Sequence, residues 1–424
     1  MLRARSRDPS WRGRIWAVAA VATAARALTL VATSGYHPQH DDRSYFRVAR
    51  SLLLLGRYPI LHVAHVGWLP SAYRPPGWPL VLAGVWSVTG ISITAGRIVL
   101  LILGVVACVL GAQIARRVAG DRAGLVAGLL LAVDPLLLAA NATLESETLF
   151  TALVLAALLA VLRARESGSW RWTTAAGALV GAAALTRTNA LVLIPLLGWL
   201  VLPTPRPRRW VRHSALAIGA AVLVISPWTI RNATELHHFV PVSTEAGNTL
   251  AGTYNITSLH HHARWLLPSQ TGAYRAIYRR FADSPQLDDH LRSAVLHWVV
   301  HHPTYPLVVS AWNSARLLGF DGPNWATWSV HTMSLGPGWT VPVWLGTLLI
   351  TMLAAAELAR RRRGAGPVAV VAAVLLLTTV PVTGEMRLAI PLQAVLVLLA
   401  SCAVTDRLRS RLGREERRRD VALA

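Results

Sequence analysis

Apolar residues gather in ten blocks along the chain, at about 15–33, 93–115, 123–140, 148–162, 173–186, 188–202, 214–229, 338–357, 366–382 and 388–404. A helix needs roughly 20 apolar residues to cross a hydrocarbon core about 30 Å thick, and these blocks reach or approach that length. The pattern predicts an all-α polytopic membrane protein with a bundle of about ten transmembrane helices, twelve at most. Two further stretches, 77–90 and 304–320, are apolar enough to tempt a span. If either crossed alone, the next arginine cluster would change sides. They are therefore read as helices lying in the outer interface, the alternative being a pair of half-buried spans.

Charge orients the pattern. The chain has 424 residues, 54% of them hydrophobic, and a formal net charge of +22 carried wholly by arginine. Clusters at Arg3, Arg5, Arg7, Arg12 and Arg14, at Arg116, Arg117 and Arg122, at Arg163, Arg165 and Arg171, at Arg206, Arg208, Arg209 and Arg212, at Arg360 to Arg363, and from Arg407 to Arg419 flank the apolar blocks. By the positive-inside rule these clusters are cytoplasmic, and ten crossings satisfy that parity with both termini inside. The arginines fall in short loops, which argues for membrane orientation and against nucleic acid as partner. The first block is read as an anchor, because it is long for a signal peptide and lacks a convincing cleavage site before Gly35. The expected organisation is one transmembrane domain over 1–404, with outer loops at 34–92 and 230–337, and a basic cytoplasmic tail over 405–424. A plasma-membrane protein working on its outer face follows from those loop sizes.

Candidate chemistry collects on that outer face. The first loop holds the adjacent acids Asp41 and Asp42, followed by a run in which Tyr45, Ala49, Leu52 and Leu53 share one helical face and Arg43, Arg47 and Arg50 another. Such a helix would lie in the interface with the acids as cap and dipole partners of its first turn. Farther on, Pro75 and Pro76 hold Arg74 extended, where a guanidinium could grip a phosphate in two-pronged fashion or simply anchor a helix. Glu145 and Glu147 stand at the entrance to the fourth block, where carboxylates are costly unless paired or functional, with helix capping as the plain alternative. Arg187, Arg231 and Arg387 end on the same face. A cationic site beside carboxylates suits chemistry at a lipid phosphate, although headgroup anchoring places arginines similarly.

Other signals are thin. Fourteen of the 15 histidines are external, and His62 and His65 have ligand-like spacing, but no carboxylate or cysteine accompanies them at helical spacing. Cys108 and Cys402 lie in apolar blocks and imply neither a disulfide framework nor a thiolate metal site. The sequons at Asn141, Asn232 and Asn255 are at chance level. No phosphate-binding P-loop, nucleophile elbow or zincin motif is present, which argues against a cytoplasmic nucleotide donor.

Taken in order, the motifs resemble the polyprenyl-phosphate-dependent glycosyltransferases of the GT-C superfamily, the group of protein O-mannosyltransferases and lipid A aminoarabinose transferases. The matching pieces are Asp41-Asp42 with Tyr45, Arg74-Pro75-Pro76, Glu145 to Phe150, Leu185 to Arg187, Pro227 to Asn232, and Arg387 before Ile390-Pro391. The resemblance implies transfer of a sugar, with inversion, from a polyprenyl-phosphate donor to an acceptor hydroxyl on the extracytoplasmic side. It gives Asp41 the role of general base, Arg74 the donor phosphate, with Tyr45, Arg43, Arg187, Arg231 and Arg387 about it, and Glu145 or Glu147 a part in binding the acceptor. The aminoarabinose transferases carry an arginine three residues after the first acid, where this chain has Ser44 and only the neighbouring Arg43. The partners implied are the lipid-linked sugar, a cell-envelope glycan, lipid or protein acceptor, and membrane lipid. The resemblance fixes no cofactor, and a divalent cation at Asp41-Asp42 is left open.

The rival readings are a transporter or lipid flippase and a structural scaffold. Transporters place ionisable groups near the bilayer midplane on broken helices. Here the acids avoid span centres, Arg26 is the one mid-span charge of note, and the chain shows no repeated half.

Overall fold

The computed structural model describes residues 9–63, 67–201, 206–281, 286–360 and 365–423. Arg3, Arg5, Arg7, His65 and Arg361 to Arg363 lie outside the described residues. Helices α1 (Pro9–Ala32) and α2 (Asp41–Leu55) precede a hairpin of β1 (Pro59–Val63) and β2 (Gly67–Pro70). Then come α3 (Gly77–Thr89), α4 (Ile93–Ala119), α5 (Asp121–Val133), α6 (Pro135–Ala142), α7 (Glu147–Ser167), α8 (Trp170–Thr186), α9 (Leu193–Val201) and α10 (Pro207–Leu236). The long segment after α10 carries α11 (Ala246–Thr253), α12 (Ile256–His260), α13 (Gly272–Phe281), α14 (Gln286–His301), α15 (Tyr305–Leu317) and α16 (Pro323–Thr332). Helices α17 (Thr340–Leu358), α18 (Gly366–Thr379) and α19 (Ile390–Leu423) complete the described chain.

Every one of the ten apolar blocks falls on a helix or a helix pair. Among the described residues, six helices are long and apolar enough to cross a membrane, and α5 with α6 makes a seventh, bent by 50° at the break between them. The segments on α8, α9 and α18 are shorter than a 30 Å core demands at 1.5 Å per residue. The protein is a multi-pass helical bundle. The antiparallel hairpin, with His62 opposite Trp68, has no counterpart in the apolar pattern.

The bend between α5 and α6 explains the buried charge of Arg26. Pro135 has no N–H to continue α5 and sits at the first position of α6, while the Asp134 carboxylate accepts from Leu137 N at 3.1 Å. Carbonyls at the end of α5 lose their helical partners at such a break. Arg26, buried in α1, donates to Leu131 O and Ala132 O at 3.3 Å and to Asn141 Oδ1 at 2.7 Å. Its charge is spread over backbone carbonyls that need donors.

Small residues let the spans approach. Gly177 and Gly181, four apart on α8, lie against Ala217 and Ala221 of α10, where a Cβ on Gly177 would stand 2.0 Å from the Ala217 carbonyl oxygen. In lipid, association relies on close packing rather than on hydrophobic transfer, and such small residues permit it. Helices α7 and α19 form the centre, each with more than four fifths of its apolar span buried inside the protein.

Around one end of this bundle the loops are held from within. Helix α3 forms where the apolar stretch 77–90 predicts it, but Trp78 and Trp86 are buried against α2 and α4. Trp78 Nε1 donates to Leu144 O and Trp86 Nε1 to Ser92 O, each at 2.8 Å. Tyr36 OH accepts from Leu144 N at 2.9 Å. The turn between α6 and α7, which carries Glu145 and Ser146, is thereby pinned on both sides of Leu144.

Candidate functional site

The adjacent acids of the first loop do different work. Asp42 is fully buried, and its Oδ1 accepts from the backbone N–H groups of Gln39 at 3.0 Å and of His40 and Arg43 at 2.8 Å. Its Oδ2 accepts from Tyr36 OH at 2.6 Å and from Ser334 Oγ at 3.0 Å. Five donors saturate the carboxylate, so Asp42 locks the turn into α2 and ties it to Tyr36 and to the turn after α16. Asp41, one residue earlier, points the other way. Its Oδ1 accepts from Arg74 Nη2 and its Oδ2 from Arg387 Nη2 at 2.5 Å.

Each arginine then reaches further carboxylates. Arg74 Nη1 donates to Glu245 Oε1 at 2.6 Å and its Nε to Ser44 Oγ at 3.2 Å. The rings of Tyr45 and Tyr73 flank its guanidinium at 5.1 and 5.2 Å, within cation–π range. Arg387 Nη1 donates to Glu145 Oε1 at 3.0 Å and its Nε to Glu385 Oε2 at 2.6 Å. Arg187, just past α8, donates to Glu147 Oε1 at 2.7 Å and Ser146 Oγ at 3.2 Å. Tyr45 OH lies 3.2 Å from the same Ser146 Oγ. The sequence-predicted residues Asp41, Arg74, Tyr45, Glu145, Glu147, Arg187 and Arg387 thus converge from five separate stretches of chain.

Two predicted residues stand apart. Arg43 is exposed on the opposite face of α2 from Tyr45. Arg231 pairs with Glu235 at 2.8 Å, donates to Ser71 O at 2.5 Å, and lies over the Trp228 ring at 4.9 Å. It supports the loop that carries Arg74 without touching the carboxylates around it. Two residues that sequence reasoning passed over, Glu245 and Glu385, are members of the cluster. The signal available for them was weak: each is a lone acid in a loop, and Glu385 stands two residues before Arg387.

Electrostatics separates the carboxyl groups. Burial pushes the Asp41 carboxyl up, but the guanidiniums of Arg74 and Arg387 outweigh it and hold the group well below the usual carboxylate range. Burial raises Glu145 well above its ordinary value, and the neighbouring Glu147, Asp41 and Asp42 add to that against the pull of Arg387. Burial likewise raises Glu245, against the pull of Arg74. Asp41 is therefore a carboxylate at neutral pH, while Glu145 and Glu245 favour their protonated forms more than free glutamates do. Glu147 Oε2 is buried without a hydrogen-bond partner.

Metal chemistry fits poorly here. Among the described residues no group of three or more His, Cys, Asp or Glu side chains is placed to hold an ion. Asp42 has both oxygens committed to donors, so Asp41-Asp42 does not offer two free carboxylates to one cation. What the site does offer is a cationic seat, Arg74 with Arg387, built around a carboxylate whose side chain is 32% exposed.

Residues 73–231 match the family of dolichyl-phosphate-mannose-protein mannosyltransferases, a stretch that contains Arg74, Glu145, Glu147, Arg187 and Arg231. No curated protein matches the chain. Among solved structures, the archaeal oligosaccharyltransferase AglB from Archaeoglobus fulgidus, in complex with an inhibitory peptide and a dolichol-phosphate, is 12% identical with a TM-score of 0.59. The match covers 96% of this chain and 52% of that one. The apo form of the Archaeoglobus fulgidus oligosaccharyltransferase gives 11% identity and a TM-score of 0.58 over 97% of this chain and 52% of the other. ArnT from Cupriavidus metallidurans bound to undecaprenyl phosphate is 17% identical, with a TM-score of 0.45, over 92% of this chain and 78% of its own. This chain spans about half the length of the archaeal structures it matches, and at such identities the likeness is one of fold.

Proposed function

We propose that the chain is a GT-C glycosyltransferase that transfers a sugar from a polyprenyl-phosphate donor to an acceptor hydroxyl on the extracytoplasmic face, a reading supported by the mannosyltransferase family match over residues 73–231 and by the fold shared with the archaeal oligosaccharyltransferase. The observation that carries the reading is Asp41, an ionised and partly exposed carboxylate held between two arginines. In this reading Arg74 and Arg387 receive the donor phosphate, and Asp41 takes the proton of the acceptor hydroxyl. The hydroxyl oxygen attacks the anomeric carbon from the face opposite the phosphate. The bond from that carbon to the phosphate oxygen breaks, and polyprenyl phosphate leaves with the electron pair, so the product is inverted. The leaving group needs little protonation, so the enzyme's tasks are to activate the nucleophile and to balance charge on the departing phosphate.

The resting ion pairs bear on the base. A carboxylate held between two guanidiniums is a weak base, because protonating it forfeits both attractions. A donor phosphate that takes up the arginines removes that restraint, and Asp41 becomes more basic once the donor is in place. In this reading Glu145 and Glu147, on the pinned turn beside Ser146, orient the acceptor, supported by the buried Glu147 Oε2, which has no hydrogen-bond partner of its own.

The test is sugar transfer by purified protein in detergent, supplied with a panel of radiolabelled polyprenyl-phosphate sugars and a membrane extract as acceptor. A positioned base contributes about 10²–10⁴-fold, so Asp41→Asn is expected to lower turnover by that factor while donor binding persists. Near-normal turnover in Asp41→Asn removes Asp41 from the base role.

A further inference from the structure

Every nitrogen of the two guanidiniums in the cationic seat already donates to the protein. Arg74 uses Nη2 on Asp41, Nη1 on Glu245 and Nε on Ser44. Arg387 uses its three nitrogens on Asp41, Glu145 and Glu385. An incoming phosphate therefore meets cations already neutralised by carboxylates, and it gains full contact with them by displacing one. Asp41, although 32% exposed, is held by both arginines at once and loosens only as the phosphate settles on them, and the partners held by one arginine differ in how replaceable they are. Glu145 and Glu385 have side chains 3% and 8% exposed, and displacing either strands a charge in the interior. Glu245 is 30% exposed and can swing into water.

We propose that Glu245 is an exchangeable internal counter-ion, occupying on Arg74 the place that the donor phosphate takes and leaving it when the lipid phosphate binds. This rests on the donor reading above and adds to it a residue that sets donor affinity. Arg74 stays in position through the exchange because the Tyr45 and Tyr73 rings and Ser44 still hold it. Glu245 is placed by its own segment, which runs along the Arg74 loop. Thr244 N donates to Ala72 O at 2.9 Å, Ser243 Oγ to Tyr73 O at 2.5 Å, and Asn248 Nδ2 to Tyr73 OH at 2.9 Å. These contacts keep the counter-ion close without depending on its charge, so it competes as an intramolecular anion at high local concentration. The result is a site kept electrically paired when empty, at a standing cost in donor affinity.

The sign of one measurement separates this role from a structural one. Binding of undecaprenyl phosphate to the full-length protein in detergent is measured for wild type and Glu245→Gln, with the denaturation midpoint of each as a check on folding. Removing a competing counter-ion tightens lipid-phosphate binding, by about five- to tenfold for a partly exposed charge-assisted pair, and lowers the donor KM without raising kcat. If Glu245 merely supports Arg74, Glu245→Gln binds undecaprenyl phosphate more weakly or equally well, and the inference is overturned. Should Glu245→Gln lower the denaturation midpoint, Glu245→Ser is measured in its place, with the same tightening expected and the same two results overturning the role. A wild type that does not bind undecaprenyl phosphate or dolichyl phosphate at all overturns the donor reading itself, a result distinct from equal binding by both proteins.

Discussion

Replacing Arg387 by methionine probes the cluster most directly. The side chain keeps an unbranched apolar stem and loses three donors that serve three carboxylates: Asp41 at 2.5 Å, Glu145 at 3.0 Å and Glu385 at 2.6 Å. Removing one partner of a buried ion pair costs about 3–5 kcal/mol, because a charge is left behind in low dielectric. Asp41 keeps Arg74 and a third of its exposure, so it adds little. Glu145 escapes part of the penalty by taking up a proton, since burial already raises it well above the usual glutamate range. The expected loss is therefore about 2–4 kcal/mol at neutral pH. Its pH dependence has a definite sign. A carboxyl raised in the folded state binds its proton more readily than in the unfolded chain, so the folded variant gains stability as pH falls. The gap between wild type and Arg387→Met is widest near pH 8 and narrows toward pH 5. Denaturant unfolding in detergent micelles, followed by the fluorescence of the 17 tryptophans, measures it. Adding Glu145→Gln to Arg387→Met removes the stranded charge and is expected to recover at least about 1 kcal/mol. A loss below about 0.5 kcal/mol, or a gap that grows on acidification, refutes the reasoning.

Two further expectations concern structure. Asp42→Asn cannot serve five donors with one carbonyl oxygen, so it should destabilise the fold by about 1–3 kcal/mol, whereas an unchanged unfolding midpoint would mean that Asp42 is not the lock of the α2 turn. Gly177→Val puts a side chain where only 2.0 Å separates a Cβ from the Ala217 carbonyl oxygen, whereas Gly219→Val on α10 meets nothing within 4 Å. The first should cost about 1–3 kcal/mol or more by overpacking, the second little, and equal midpoints for the two would contradict the close α8–α10 contact.

The apolar pattern determined a great deal by itself. It placed all ten helical blocks, because burial of apolar side chains in lipid or protein leaves a continuous signature that needs no partner to be read. The ordered loop motifs likewise named Asp41, Arg74, Glu145, Glu147, Arg187 and Arg387, since charged groups next to hydrocarbon are costly enough to stand out. The α2 faces, with Tyr45 and Ala49 inward and Arg43, Arg47 and Arg50 exposed, followed from helical spacing. The tertiary structure alone decided which member of the acid pair meets the arginines. Neighbouring residues on a helix start point in directions set by the turn, and only the donors of Gln39, His40, Tyr36 and Ser334 show that Asp42 is spent on backbone N–H groups and two hydroxyls. It also decided that Arg231 supports a loop and that Glu245 and Glu385 belong to the site. Their partners lie far along the chain, Glu245 being 171 residues from Arg74, and pairing between distant charges depends on distances in space, which a one-dimensional pattern of residue types does not contain.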